Sequence, residues 1–466
     1  MNRNNPNLIF VFPDEFRAQS LGFLGQDPVI TPNLDQFAIE SKVLTHAVSN
    51  YPVCSPFRAM LMTGMYPYSN SVIGNEYSGV IQYGYELREE DRCFTDILSD
   101  AGYNVGYLGK WHLDLPKEED IPFTEGWRDI EFGQQPSFWD AYTPPGPRRH
   151  SIDFWHSYGC CDRHLEPHYW EGDAKINDRI DVKQWSVEHE TDVAVDYIHN
   201  TNGKFRDPEK PFALFVAHNP PHMPFDQVPE KYMKYYDDKI PDDLLVRPNI
   251  AEEGLGAGAW ENVKNYFAAI TGIDDQFGRI LQSLEDEGLT EDTVVVFTSD
   301  HGEMMGSHGL MYKVVWYDES LLIPFIIRWP GKIHPGQDDL LLGVPDIMPT
   351  LLRLMGIDEL LPDVVEGEDY SGAFLDEVTE RPESALYLVP NLENPLHGNR
   401  GLRTHDYTFV IQRDEGGERE FLYNNAEDPF QMKNAVGAEP EVVEQLREEL
   451  HQWLIKTNDP WVEVKE

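Results

Sequence analysis

The stretch NLIFVFPDEF near the N-terminus is an apolar run without alternation, closed by a proline and two acids. A strand with one wet face alternates apolar and polar residues, so this run reads as a strand buried on both faces and ending in carboxylates. TVVVFTSDHGE, residues 293 to 303, repeats the design far downstream. NVGYLGKWH (104 to 112), PFALFVAHNPPH (211 to 222) and IPFIIRWPG (323 to 331) add three more apolar strands, two of them ending in Lys and His. Between them lie helical stretches, TPNLDQFAIESK, CFTDILSDAG and FAAITGIDDQFGRILQSLEDEG. Strands alternating with helices predict an α/β fold, a parallel or mixed sheet covered on both faces. In such sheets ligands bind beyond the carboxyl ends of the strands, where the polar groups of this chain collect.

Two other regions read differently. Residues 139 to 173 are rich in Trp, Tyr, His, Pro and Arg without clean periodicity and read as a long functional insertion. From about residue 376, SALYLVP, GLRTHDYTFVIQ and REFLYNN read as short antiparallel strands, followed by a helix EPEVVEQLREELHQWLI. The expected organisation is a catalytic domain over 1–375 and a C-terminal α+β subdomain over 376–466.

The formal net charge of −45 argues against nucleic acid or an anionic membrane as partner. Such an acidic surplus fits a salt-tolerant protein, or simply a solubilising surface. Four cysteines, Cys54, Cys93, Cys160 and Cys161, are too few for a disulfide framework, and no CxxC pair suggests structural zinc. The longest early apolar run, LIFVF, is too short for a leader or a spanning helix. The expected location is cytoplasmic for the sequence as written, and periplasmic or secreted for a chain whose leader was trimmed.

Asp14, Glu15, Asp300 and His301 supply oxygen and imidazole ligands at the ends of two strands. Hard oxygen donors favour Ca²⁺ or Mg²⁺ over structural zinc. Lys110 and His112 alternate on GKWH, Lys313 follows DHGEMMGSHGLMY, and His222 follows a strand in PPHMP. Two lysines, two histidines, an arginine and a metal at one sheet edge describe a pocket for a tetrahedral oxyanion. Cys54, in YPVCSPFR, is either a small buried hydrophobe or the nucleophile. A thiolate is a poor partner for a hard cation, so the position makes more chemical sense if it carries oxygen.

CSPFR resembles the C-x-P-x-R signature of type I sulfatases, of the alkaline-phosphatase-like superfamily, in which the cysteine is oxidised to formylglycine by a maturation enzyme. LMTGMYP, GYLGKWH, PPHMPF, FTSDHGEMMGSHGLMYK, PFIIRWPG, PDIMPTLLRLMGI and LYNNAEDPFQMKN resemble family segments in the family's order, so the likeness covers nearly the whole chain. The resemblance implies a large mixed, mostly parallel sheet sandwiched by helices, with a smaller C-terminal antiparallel sheet plus helix. It implies that Cys54 becomes formylglycine, that Asp14, Asp300, His301 and the converted Cys54 bind Ca²⁺ with Glu15 in a slot often held by another acid or an amide, and that Arg58 and Lys110 hold the nucleophile. Lys313 and His222 would grip the sulfate, His222 protonating the departing alcohol, and His112 would take the proton whose loss expels sulfate. Phe57 departs from the family's usual small polar residue, and Glu15 is one methylene longer than aspartate.

The expected substrate is a sulfated carbohydrate, with a marine polysaccharide as the sharper guess. Arg148, Arg149 and His150 would meet further anionic groups. Trp139, Trp155, His156 and Trp170 would offer flat surfaces to sugar rings, or else pack the insertion against the main domain. His308 would contact substrate or shape its turn. A phosphonate monoester or phosphodiester hydrolase of the same superfamily and a lectin-like binder of sulfated glycan are the competing readings.

Overall fold

The computed structural model describes residues 5–76, 85–117, 120 and 139–462. In chain order the strands of its larger sheet are β1 (Asn7–Val11), β2 (Lys42–Leu44), β3 (Asn104–Lys110), β4 (Phe154–Tyr158), β5 (His168–Glu171), β6 (Ile180–Asp181), β7 (Phe212–Ala217), β8 (Thr293–Thr298), β9 (Phe325–Arg328) and β10 (Gly336–Asp338). They lie side by side as β10-β2-β9-β8-β1-β7-β3-β4-β5-β6. The run β8-β1-β7-β3-β4 is parallel throughout, while β9 and β5 are antiparallel to their neighbours. The sheet is therefore mixed and mostly parallel.

The absence of alternation in β1 follows from its place at the middle of this sheet. Leu8 and Phe10 face one apolar layer and Ile9 and Val11 the other, as the two-residue period of a strand requires. On the first face they meet Met60 and Leu61 of the Cys54–Thr63 helix and Ile347 and Leu351 of the Val344–Leu354 helix. On the second they meet Phe267, Ile270 and Phe277 of the Gly258–Asp286 helix. Each such side chain contributes about 1.5–3 kcal/mol by leaving water.

The second sheet, β11 (Ser384–Pro390), β12 (Gly398–Thr404), β13 (Tyr407–Asp414) and β14 (Gly417–Asn424), is an antiparallel meander. Leu386 and Leu402 join the same apolar layer as β1, and so do Val443, Leu446, Leu450 and Leu454 of the closing Pro440–Lys456 helix. The spacing of those four residues puts them on one face of that helix.

The segment 139–173 differs from the expected insertion. β4 pairs in parallel with β3, from Gly106 opposite Phe154 to Lys110 opposite Tyr158, and β5 continues the sheet. Its lack of periodicity is that of a strand covered on both sides, Trp155 facing the Tyr107 and Trp111 rings and Tyr158 packing with Tyr169.

Candidate active site

The parallel register sets the ends of β8, β1, β7 and β3 in one row. Val11 lies opposite Val216 and Phe297, and Gly109 opposite Ala217. The residues that follow, Asp14, Asp300, Lys110 and His222, are thereby brought to one edge, with the N-terminus of the Cys54–Thr63 helix above them. Cys54 is the first residue of that helix, which ends at Gly64 in the left-handed conformation (φ 64°) that glycine adopts without strain. The positive end of the helix dipole adds potential at the Cys54 sulfur, although Pro56 has no N–H and Ser55 N–H is donated to Asn75 Oδ1 at 3.1 Å.

Cys54 Sγ is 3.3 Å from Lys313 Nζ, 3.8 Å from Lys110 Nζ, 3.4 Å from His301 Nε2 and 3.6 Å from Asp14 Oδ1. Burial and Asp14 oppose ionisation, but Lys110, Lys313 and His112 hold the thiol well below its ordinary range. Arg58 Nη2 bridges Asp14 (3.3 Å) and Asp300 (3.2 Å), while its Nη1 donates to the Lys110 carbonyl at 2.5 Å and its guanidinium lies over the Phe12 ring. Lys110 Nζ approaches Asp14 Oδ2 at 2.6 Å and donates to Asn219 Oδ1 at 3.2 Å.

The acids divide by environment. Burial would raise the Asp14 pKa, yet Lys110, His222 and Lys313 hold it well below the carboxylate range. Asp300, buried and facing the Asp14 charge, is pushed up to about 6. Glu15 is raised well above its ordinary value by burial, against the pull of Lys313, and neither of its buried oxygens has a hydrogen-bond partner. Its backbone sits in the left-handed region (φ 68°), held by an N–H donated to Asp300 Oδ1 at 3.0 Å. One ligand atom each from Asp14, Cys54, Asp300 and His301 lie within 4.8 Å of one another. His301 Nδ1 donates to the Gly302 carbonyl at 3.0 Å, which leaves the Nε2 lone pair for a cation. Converging buried carboxylates, with the Glu15 oxygens making no hydrogen bond, and an oriented imidazole fit a divalent ion bound mainly by hard oxygens.

The two other histidines are oriented as well. His112 (φ 52°) approaches the Glu76 carbonyl with Nε2 at 3.1 Å; a carbonyl only accepts, so Nε2 carries a proton and Nδ1, buried and without a hydrogen-bond partner, is the nitrogen that gains or loses the second one. Burial lowers its pKa, but Cys160 and Cys54 outweigh burial and raise it to about 9, so beside those two thiols Nδ1 also holds a proton at neutral pH. His222 donates Nδ1–H to the Met223 carbonyl at 2.7 Å and turns Nε2 toward Glu15 Oε2, 3.6 Å away. Burial, Lys313 and Lys110 hold its pKa well below the ordinary value.

The resulting cavity, about 140 Å³, is lined by Glu15, Cys54, Lys110, His112, His222 and Lys313 together with Asn75, Trp139, Cys160, Met223 and Tyr312. Every expected nucleophile, cation and metal ligand therefore meets at this edge, and Trp139 is the aromatic of the 139–173 segment that reaches it. Asn219, which grips Lys110, and Cys160 were not anticipated; the Asn219 signal was present, a polar residue two steps past the β7 strand end.

The expected substrate contacts Arg148, Arg149, His150, Trp155 and His156 need correction, because their polar atoms are spent inside the protein. Arg148 is paired with Glu86 and Asp114. Arg149 donates to the Thr143 and Gly172 carbonyls and lies over Trp155, itself 2% exposed. His150 faces Asp96, and His156 lies between Glu171 and His189. Trp170 is buried beside Tyr142. His308 stacks on Tyr317 at 3.7 Å and meets Asn249, in a turn outside the cavity lining.

A family model described as Sulfatase matches residues 6–357, and one described as N-sulphoglucosamine sulphohydrolase, C-terminal, matches residues 306–459. The chain is 42% identical to an Endo-4-O-sulfatase of Bacteroides thetaiotaomicron, over 99% of this chain and 94% of that protein. It is 33% identical to an Ulvan-active sulfatase of Formosa agariphila, over 96% of this chain and 79% of that protein. A solved structure from Bacteroides thetaiotaomicron, described for the metabolism of multiple glycosaminoglycans, superposes with a TM-score of 0.89 at 41% identity, covering 98% and 97% of the two chains. Phosphonate Monoester Hydrolase of Agrobacterium radiobacter shares the fold, with a TM-score of 0.70 at 20% identity.

Proposed function

The chain belongs to the sulfatase family and hydrolyses sulfate esters, and on that premise we propose that its substrate is a sulfated carbohydrate, attacked from a formylglycine at position 54 beside a Ca²⁺ ion held by Asp14, Asp300, His301 and Glu15. The observation that supports this reading is the placement of Cys54 between two lysines and against a buried acid cluster whose Glu15 oxygens make no hydrogen bond. The likeness to an Endo-4-O-sulfatase and an Ulvan-active sulfatase supports the carbohydrate, and the former supports a 4-O-sulfate within a glycan chain as the preferred ester.

Formylglycine would supply an oxygen nucleophile in place of sulfur, and Ca²⁺ held by these residues would lower the proton affinity of that oxygen. The protein's own groups do the rest. Lys110 and Lys313, both lining the cavity, face the position of the sulfuryl oxygens and offset the charge that spreads over them. Arg58, fixed by Asp14, Asp300 and the Lys110 carbonyl, keeps the helix N-terminus and the acid cluster in register. His222 Nε2 faces the same space and carries a proton to the leaving alcohol once the anionic ester has entered. His112 Nδ1 is the base that removes a proton from the nucleophile side, its tautomer set by the Glu76 carbonyl.

The test is sulfate release, read by ion chromatography, from 4-O-, 6-O- and 2-O-sulfated glycosaminoglycan oligosaccharides and from ulvan. The enzyme is co-produced with a formylglycine-generating system, and Cys54→Ala is the blank. Release from the 4-O-sulfated members, abolished in the variant, is the expected result. Faster turnover of matched phosphate or phosphonate esters by protein with converted Cys54 would overturn it.

A further inference from the structure

Cys93 lies in the core at the start of the Phe94–Asp100 helix. Cys161 turns inward, its sulfur 3.5 Å from His168 Nδ1, and His168 Nε2 is 2.8 Å from Asp140. Cys160 lines the catalytic cavity together with His112 and Lys110, close enough that its charge raises the pKa of both.

Its placement is built rather than incidental. Asp140 Oδ1 accepts the Cys160 N–H at 3.0 Å, and Asn219 Nδ2 donates to the Cys161 carbonyl at 2.7 Å. The same Asn219 accepts from Lys110 at 3.2 Å, so the Cys160–Cys161 peptide and the catalytic lysine are fastened to one side chain. A second observation marks this cavity as a ligand site: His112 Nδ1 and both Glu15 carboxylate oxygens are buried there without hydrogen-bond partners.

We propose that Cys160 is a modification site of the catalytic cavity, a thiol at which a small electrophile or peroxide shuts the mature enzyme. The inference rests on the sulfatase reading, because conversion of Cys54 leaves Cys160 as the thiol lining this cavity. Cys160, itself only 3% exposed, shares the cavity lining with Lys110 and His112, so a small reagent that enters by the route of the sulfate group meets the thiol in an electropositive setting. With iodoacetamide the sulfur attacks the methylene carbon, the carbon–iodine bond breaks, iodide leaves and the thiol proton passes to solvent. The added carbamidomethyl group then occupies space that sulfate needs in a cavity of about 140 Å³. With hydrogen peroxide the sulfur takes one oxygen, the O–O bond breaks and water leaves; the cysteine is oxidised by two electrons to the sulfenic acid.

The experiment uses matured enzyme with Cys54 conversion verified by peptide mass. It is treated with iodoacetamide with and without inorganic sulfate, then assayed for sulfate release and mapped for adducts at Cys93, Cys160 and Cys161. The expected result is an adduct at Cys160 ahead of the other two, activity falling at least tenfold in step with it, and slowing of both by inorganic sulfate. The activity that Cys160→Ala retains is then insensitive to the reagent. An unmodified Cys160, or a Cys160 adduct with full activity, overturns the proposal. Mapping and sulfate protection need no variant and no turnover, so a protein that releases no sulfate from any ester defeats the functional reading while labelling still decides the accessibility of Cys160.

Discussion

Lys110 Nζ lies 2.6 Å from Asp14 Oδ2, and solvent reaches neither side chain. The two residues come from different strand ends and form the tightest ion pair of the cavity. Lys110→Met removes a cation facing the sulfuryl group and leaves Asp14 with less compensation. Steady-state assays should show kcat/KM falling by about 10²–10³, as expected for loss of one preorganised charge. An unchanged kcat/KM in folded protein would take Lys110 out of the site.

Binding of the proposed divalent ion should be visible without turnover. Asp14, Glu15 and Asp300 are all buried, and an ion bound only to the folded state raises stability by mass action. Protein stripped with a chelator should melt lower than protein with added Ca²⁺, and Asp300→Asn should shrink that calcium-dependent rise in Tm while cutting activity. Equal melting of stripped and calcium-loaded wild type would refute the metal assignment.

His112→Asn keeps a polar group but loses the base at Nδ1. The expected outcome is a 10²–10⁴-fold fall in kcat with a smaller change in KM, measured on the preferred sulfated oligosaccharide.

Arg148 distinguishes packing from substrate binding. Its ion pairs with Glu86 and Asp114 are largely buried, and breaking a buried pair costs about 3–5 kcal/mol because the partner charge stays behind. Arg148→Ala should therefore lower Tm by several degrees while leaving KM within about twofold. A large KM increase at unchanged Tm would return Arg148 to the substrate.

Asp346 gives a pH dependence of known sign. Burial pushes its pKa up to about 7, although the Glu368 and Gly343 N–H groups donate to it and pull the other way. The folded state then binds its proton more tightly than the unfolded chain, so this contribution is fully present below about pH 4 and is lost as pH rises through 7. Asp346→Asn should flatten the fall in Tm measured between pH 5 and 8; an identical slope in wild type and variant would show that Asp346 does not titrate there.

Much of the cavity was legible because its chemistry is written in short segments. CSPFR, GKWH, PPHMP and SDHGE each carry their reactive groups within a few residues of a strand end or helix start, and an apolar run without alternation announces a central strand. The 139–173 segment was misread for the same reason that β1 was read well. Both lack alternation, and in a strand so rich in Trp, Tyr and His the apolar run that marks a buried strand is hidden.

The sequence by itself determined the reactive groups, the α/β alternation and the strand ends that carry them, since these depend on local order and on the two-residue period of a strand. The tertiary structure alone decided that Arg149 and Trp155 pack on each other instead of on a sugar, that Asn219 ties Lys110 to the Cys160–Cys161 peptide, and that of two adjacent cysteines one faces His168 and the other the cavity. Those outcomes turn on which residues distant in the chain compete for the same buried space and the same hydrogen bonds, and that competition exists only once the sheet has formed.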